Sequence, residues 1–180
     1  MKQKNDLFRL IFLFLPLLFF LIQCRVNRYY LAENKTEVSK QEKGDWVISK
    51  KLYVYPEKIY RLRKDGASKP YPVIIDRKDT TLVVLMVTKN LKNPLPDSGM
   101  GLKLYIPIPS PLIIKHKHYI IPPDEVVFGL QAFMAGAGYK KLNNGNIKLF
   151  HRKDKIILSV SLKGRFLEEF NGEYPLPIKE

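Results

Sequence analysis

The stretch TTLVVLMVT, residues 80–88, is apolar at every position from Leu82 to Val87. Successive side chains of a β-strand point to opposite faces of a sheet, so this run presents apolar groups on both faces. One face would carry Leu82, Val84 and Met86, and the other Val83, Leu85 and Val87. A strand that is apolar on both faces is typical of a sheet interior. We therefore predict a central strand that is covered on both sides.

The sequence around this run is rich in β-branched and aromatic residues, with turn residues between them. Further candidate strands are WVISKKLYVY (46–55), KIYRLR (58–63), YPVIID (71–76), LIIKHKHYII (112–121) and KIILSVSLK (155–163). DGASKP (65–70) and HRKD (151–154) are typical of turns. The segment 138–150 predicts a hairpin that turns at Asn144 and Gly145.

Two segments depart from this simple strand pattern. LKLYIPIPSP (102–111) contains three prolines, which cannot donate to a ladder, so it predicts an edge strand. In DEVVFGLQAFMAGAG the apolar residues follow helical spacing, and two acidic residues stand at its start. We therefore predict an α+β fold: a mainly antiparallel sheet with one principal helix, about 124–137, packed on it after an N-terminal signal helix.

The first 23 residues have the composition of an export signal. Lys2, Lys4 and Arg9 precede LIFLFLPLLFFLI, an apolar run at 10–22. These 13 residues are too few to span a bilayer as a helix, which needs roughly 20. A basic start followed by a short apolar run is typical of secretion signals.

The signal ends at the only cysteine of the chain, in Leu21-Ile22-Gln23-Cys24. This motif resembles the lipobox of bacterial lipoproteins, in the looser form of spirochaetes, because Gln23 replaces the usual small residue. The resemblance implies that Cys24 carries a diacylglycerol thioether, that residues 1–23 are removed, and that the new amine is acylated, for instance with palmitate. An uncut signal anchor and a simple cleaved signal are the alternatives.

We divide the rest of the chain into a tether and a domain. Residues 24–45 have many charges and little periodicity, so they predict a flexible tether, with a ragged first strand or helix as the alternative. Residues 46–177 predict one mainly β globular domain, since 180 residues favour a single domain. An apolar content of 46% excludes a wholly disordered chain, and a single cysteine excludes an internal disulfide.

The chain is strongly basic, with a net charge of +14. Removal of residues 1–23 lowers Lys plus Arg from 31 to 28 and Asp plus Glu from 17 to 16, which leaves about +12 on the exported part. Basic groups at 50–51, 61–64, 115–117, 140–141 and 152–155 alternate with tyrosines such as Tyr53, Tyr55, Tyr60 and Tyr119. Such a surface suits anionic lipid or acidic wall polymer. A solvated basic exterior without a partner is the alternative.

Candidate chemistry is sparse. His116 and His118 share one face of a predicted strand and could bind zinc or copper if a third ligand, such as His151, Asp76, Asp79 or Asp124, lay nearby. Two histidines in this arrangement are more often a half-buried polar pair that binds no metal. The sequence contains no G-x-S-x-G elbow and no phosphate-binding loop, so we expect no catalytic residue and no cofactor.

A second resemblance covers residues 102–174. LKLYIP, the predicted helix PDEVVFGLQAFMAGAGYKKL (123–142) and IILSVSLKGRFLEEFNGEY resemble the GerMN domain of bacterial lipoproteins and spore-germination proteins. Residues 157–160, Leu162 and Gly164 match its late strand, and Glu168 and Glu169 stand where that family has an acidic residue. The resemblance implies an envelope role, near peptidoglycan, without established catalytic residues.

These observations predict a lipid-anchored protein of the bacterial cell envelope, at the outer membrane or facing the periplasm. Its expected activity is non-catalytic binding or a structural role, with a basic surface for anionic envelope or host ligands and with no nucleic acid partner. The alternatives are a metal protein or enzyme centred on His116 and His118, and an accessory subunit of an envelope assembly that pairs through the LYIPIP edge.

Overall fold

Antiparallel β-strands make up nearly all the regular structure in the computed structural model, which describes residues 28–93, 99–113, 118–132 and 137–179. The strands are β1 (Arg28–Tyr29), β2 (Asn34–Lys43), β3 (Trp46–Tyr55), β4 (Lys58–Lys64), β5 (Pro70–Asp76), β6 (Thr80–Leu91), β7 (Met100–Pro109), β8 (Leu112–Ile113), β9 (Tyr119–Ile121), β10 (Val127–Gln131), β11 (Gly138–Lys141), β12 (Asn146–Arg152), β13 (Lys155–Ser161) and β14 (Gly172–Leu176). Two short 3₁₀ turns, Pro123–Glu125 and Leu167–Phe170, are the helical segments in those ranges.

The strands form two main sheets and two smaller pairs. The larger sheet has six strands in the order β2-β3-β6-β7-β10-β11, and the second has four in the order β9-β12-β13-β14. All neighbouring strands are antiparallel. Strands β4 and β5 form a separate hairpin, and β1 pairs with β8.

The main hydrophobic core lies between the two main sheets. Val83 and Leu85 of β6 belong to one buried cluster with Leu149 of β12 and Leu158 of β13. All four side chains are almost fully buried. Each such aliphatic side chain contributes about 1.5–3 kcal/mol when it leaves water, so this sandwich interior is the principal source of stability.

The opposite face of the six-stranded sheet is partly covered by the β4–β5 hairpin. Leu82 and Val84 of β6 form a second buried cluster with Tyr105, and Tyr60 and Leu62 of the hairpin pack on it. Strand β6 therefore has a layer on each side and a strand at each edge. The prediction of a central strand at 80–88 is confirmed.

The predicted helix at about 124–137 is wrong. The segment begins with the 3₁₀ turn and continues as strand β10, which pairs with β7 and β11; residues 133–136 lie outside the described part. Residues 126–130 are buried without interruption, so β10 is covered on both faces. A continuous apolar run satisfies helical spacing as well as strand spacing, and its β-branched start favours the strand. The fold is thus a β-sandwich with a hairpin layer, and the α+β assignment is overturned.

The prediction of an edge strand at 102–111 is also wrong for the strand as a whole. Strand β7 lies between β6 and β10. Its pairing with β10 ends at Tyr105, whereas its pairing with β6 continues to Pro109. Pro107 and Pro109 therefore occupy the half of β7 that has one partner strand. Proline, which has no N–H donor, is tolerated in a strand that has an unpaired side.

The N-terminal segment contributes to the fold from its first described residues. Strand β2 is an edge of the six-stranded sheet, whereas residues 24–45 were expected to be a flexible tether. Leu31 is buried in the main core, and the amide of Ala32 donates to the carbonyl of Pro177 at 3.1 Å. The predicted signal segment, residues 1–23, lies outside the described residues.

Two local predictions have different outcomes. HRKD forms the turn between β12 and β13, as expected, since Arg152 and Lys155 are cross-strand partners. The segment 138–150 turns near Asn144 and Gly145, but β11 and β12 do not pair with each other. This turn instead joins the two main sheets. The predicted strand at 112–121 is similarly divided, because β8 pairs with β1 and β9 with β12.

Candidate functional site

A basic and aromatic surface lies on the outer face of the six-stranded sheet, beside the β4–β5 hairpin. Cross-strand partners place Lys35 opposite Tyr53, and Lys51, Met86 and Lys103 in one row across β3, β6 and β7. We call these five residues the open face. Strands are spaced by about 4.8 Å, so the backbones at Lys51 and Lys103 are about 10 Å apart.

The three lysines of the open face form no ion pair with any residue of the described ranges. Glu37, the cross-strand partner of Lys51, instead accepts a hydrogen bond from the Ser49 hydroxyl at 3.2 Å. Glu33 also lies near this surface, since its charge acts on Tyr55, so two carboxylates stand against three ammonium groups and a small excess of positive charge remains. Lys51 and Lys103 are half-buried, which reduces solvent screening around them.

Tyrosine rings surround these lysines. The Lys35 ammonium lies 5.6 Å from the ring centre of Tyr53, in a cation–π geometry. The Tyr53 ring is stacked against Tyr55, with 6.2 Å between centroids and 5° between planes. Tyr105 makes edge contacts with Tyr60 and Tyr139, at 6.2 and 6.1 Å. The aromatic groups thus provide a packed surface beside the lysine side chains.

The buried phenols of this region stay protonated at neutral pH. Burial raises the pKa of Tyr60 to about 12, with a further contribution from the charge of Glu125. Burial also raises the pKa of Tyr105, and the neighbouring Tyr139 adds to the effect. Burial raises the pKa of Tyr55 in the same way, followed by the effect of Tyr53. These phenols therefore act as neutral packing and hydrogen-bonding groups.

A small recess of about 270 Å³ opens on this surface. Its walls include Tyr53, Tyr105, Met86 and Lys103, together with Ile74 of the hairpin. One end of the hairpin is held by the Tyr60 hydroxyl, which donates to the carbonyl of Glu125 at 2.6 Å. The recess has the size of a single chemical group, such as a phosphate or a sugar ring, rather than of a whole ligand.

The residues proposed from the sequence are not gathered at this surface. Cys24 and His116 lie outside the described residues, and His118 is exposed just before β9. Asp76 forms an ion pair with Lys58, and Asp79 with Arg77 at 2.8 Å, so both carboxylates are already engaged. Within the described ranges, no group of three or more histidine, cysteine or acidic side chains could hold a metal ion.

The basic clusters of the sequence are divided by the strands that carry them. Lys51 belongs to the open face. Lys50 points to the opposite side of the sheet, where its ammonium donates to the carbonyl of Glu169 at 2.5 Å. Arg152 forms two hydrogen bonds with Glu173, at 2.7 and 3.1 Å. Adjacent lysines on a strand therefore do not add to one patch.

Sequence reasoning missed Lys35 and Lys103 as members of this surface. Lys35 falls in the segment that was expected to be a tether. Lys103 lies between Leu102 and Leu104, which both face the core. The alternation of apolar residues with a lysine in LKL was the signal that could have placed Lys103 on an outer face.

Comparison with known proteins adds no relative. No protein-family model, no curated protein and no solved structure matches this chain. Within the described residues, no helix has both the length and the apolar character needed to cross a bilayer.

Proposed function

We propose that this chain is a lipid-anchored protein of the bacterial cell envelope, whose domain is a non-catalytic binding module for an anionic ligand. The anchoring part rests on Leu21-Ile22-Gln23-Cys24 after a basic and apolar signal. Stable anchoring needs two or more acyl chains, which a diacylglycerol on Cys24 would supply. An envelope location, at the outer membrane or facing the periplasm, belongs to the same proposal. The GerMN resemblance is not part of its support, because strand β10 stands where that family has a helix.

The observation that carries the binding function is the open face. Three lysines without ion pairs in the described ranges share one sheet surface with tyrosine rings, and one of them, Lys35, lies over the ring of Tyr53. Ammonium groups and neutral phenols donate hydrogen bonds to phosphate, sulfate and carboxylate oxygens. The ligand class that fits is an acidic envelope polymer or an anionic lipid headgroup.

Binding to short polyphosphate, measured by calorimetry with the full-length protein in a neutral detergent, tests this function. The test variant replaces Lys35, Lys51 and Lys103 with glutamine. The matched control replaces Lys153, Lys155 and Lys163, three exposed lysines outside the open face, so that both proteins have the same net charge. Each removed charge near the ligand is worth about 1 kcal/mol.

We expect the open-face variant to bind at least about tenfold more weakly than the wild type. The control variant should retain most of the affinity, and wild-type binding should weaken steeply as salt is added. Equal losses in the two variants would mean that overall charge, rather than the open face, attracts the anion. Binding that is insensitive to salt would also contradict the proposal.

The anchor is tested by the intact mass of protein extracted from the membrane, beside a Cys24→Ser variant. We expect the wild type to lack residues 1–23 and to carry lipid, and the variant to keep its signal. A wild-type mass that includes the signal and no lipid would mean that Cys24 is incidental. The metal alternative at His116 and His118 stays a prediction, which the metal content of the same preparation checks.

A further inference from the structure

A second recess lies on the other face of the six-stranded sheet, at one end of the sandwich. It has a volume of about 600 Å³, within the range of small-molecule sites. Cross-strand pairing places Gln41, Ile48, Lys89 and Met100 in one row across β2, β3, β6 and β7. The side chain of Glu169, from the second 3₁₀ turn, forms part of its wall.

The floor of this recess is apolar and continuous with the main core. Ile48 and Met100 pack against the core cluster and are only partly buried. Trp46 stands beside them with 40% of its surface exposed, and it is the only tryptophan of the chain. An exposed indole beside a concave apolar floor is a common arrangement in sites for apolar ligands.

The polar groups around the recess are predominantly cationic. The Lys89 ammonium forms an ion pair with the Glu169 carboxylate, and Lys50 donates to the backbone carbonyl of the same residue. The charge of Glu169 is thus already compensated. Lys43, at the rim, forms no ion pair within the described ranges and points to the same side as Trp46, its cross-strand partner.

We propose that this recess, the Trp46 groove, is a second binding site, which takes a single-chain amphiphile with an anionic head, of the fatty-acid class. The apolar tail lies on Trp46, Ile48 and Met100, and the head lies near Lys43. An apolar floor with a cationic rim is complementary to an anionic amphiphile and repels a cation. The site is on the opposite sheet face from the open face and does not depend on it.

The test uses the fluorescence of Trp46 in the full-length protein, held in an amphipathic polymer that contains no tryptophan. The probe is 6-bromododecanoate, whose bromine lies a few carbons from the head, within reach of Trp46 beside Lys43, and quenches an indole only on close contact. We expect saturable quenching by this anion. The neutral alcohol 6-bromododecan-1-ol should bind several-fold more weakly, because it lacks the charge that Lys43 attracts.

Two substitutions on β2 separate the contribution of the groove from overall charge. Lys43→Gln should weaken binding of the anion about threefold, since one exposed charge pair contributes only modestly. Lys40→Gln removes the same charge from the same strand but on the opposite face, where Lys40 pairs with Ser49. It should leave the quenching curve unchanged. Equal effects of the two substitutions would overturn the proposed head position and the proposal with it.

The floor of the groove is tested at Met100. Met100→Glu should abolish saturable quenching, because it places a carboxylate where the tail would lie. Met100→Gln adds no charge and should weaken binding about fivefold; it keeps the test informative if the glutamate variant unfolds. Quenching that stays linear with probe concentration, or that persists in both variants, would show nonspecific partition. A dimer by light scattering that hides Trp46 until dilution would show that a second copy fills the groove, and would also overturn the proposal.

Discussion

The ring of Tyr139 lies directly over Gly129, its cross-strand partner in β10 and β11. A Cβ atom at Gly129 would stand 2.3 Å from a ring carbon of Tyr139, which is closer than any real contact. The glycine therefore leaves the space in which the tyrosine ring packs, and the ring covers a backbone that has no side chain of its own. This contact also supports the edge contact between Tyr139 and Tyr105 at the margin of the open face.

Gly129→Ala should lower the free energy of unfolding by about 1–3 kcal/mol, because the ring must move out of a packed position. Gly101→Ala on the neighbouring strand is the matched control. A Cβ at Gly101 would meet its nearest atom at 3.4 Å, in the flexible side chain of Gln131. Urea unfolding of the two variants measures the difference, and equal stabilities would show that Tyr139 adjusts freely.

The ion pair of Lys89 with Glu169 should contribute to stability, because both side chains are largely shielded from solvent, with 19% and 31% exposed. Glu169→Gln should cost about 1–2 kcal/mol, between the values for surface and buried pairs. Glu42→Gln breaks the more exposed pair with Lys92 and should have a much smaller effect. Thermal unfolding at low and high salt compares them; a larger loss for Glu42→Gln would contradict this ranking.

Alkaline pH should destabilise the fold through Tyr174. This phenol is 3% exposed and donates to the carbonyl of Phe170 at 2.7 Å, and burial raises its pKa to about 12. Above pH 10 the unfolded phenol loses its proton while the folded one keeps it, so unfolding becomes easier as pH rises toward 12. A shift of this size corresponds to about 2–3 kcal/mol.

The variant Tyr174→Phe isolates that effect. At neutral pH it should be less stable than the wild type, because the Phe170 carbonyl loses its donor. Between pH 10 and 12 the difference should shrink, since only the wild type has the ionisable phenol at this position. Denaturant titrations at both pH values give the comparison. A stability difference that is the same at neutral and alkaline pH would exclude Tyr174 as the titrating group.

The Asn171 side chain should stabilise the fold by holding the backbone of Leu162, which follows β13. This side chain accepts from the amide of Leu162 at 2.7 Å and donates to the carbonyl of the same residue at 3.0 Å. Asn171→Asp keeps the shape but replaces the donor with an anionic oxygen that faces a carbonyl. We expect a loss of about 1–3 kcal/mol in thermal or urea unfolding. Asn171→Ala should cost less than Asn171→Asp; the reverse order would show that the amide donor is unimportant.

Local sequence patterns were reliable where one strand or one turn decides the structure. The run from Leu82 to Val87 predicted an interior strand, and the pairing of β6 with β3 and β7 agrees with it. HRKD predicted the turn between β12 and β13 because polar turn residues separate two apolar strands. In the turn of DGASKP, the Asp65 carboxylate accepts from the amides of Ala67 and Lys69, at 2.9 and 2.8 Å.

The candidate sites depended on register, which the sequence shows only in part. The open face combines side chains from β2, β3, β6 and β7, and several of these strands are far apart in the sequence. The Trp46 groove uses the same four strands from the other side. A shift of one residue in any strand would exchange the two faces, so neither site follows from the composition of one segment.

The sequence by itself determined that residues 80–88 form an interior strand, that the chain is basic, and that Cys24 follows a signal-like segment. These features depend on neighbouring residues and on composition. Only the tertiary structure decided that residues 127–131 are a strand rather than part of a helix, and that β2 belongs to the six-stranded sheet. It also decided that β11 and β12 belong to different sheets. The physical reason is that β pairing is non-local. An apolar segment becomes a strand where residues distant in sequence can bury both of its faces, even if its own spacing of apolar residues is compatible with a helix.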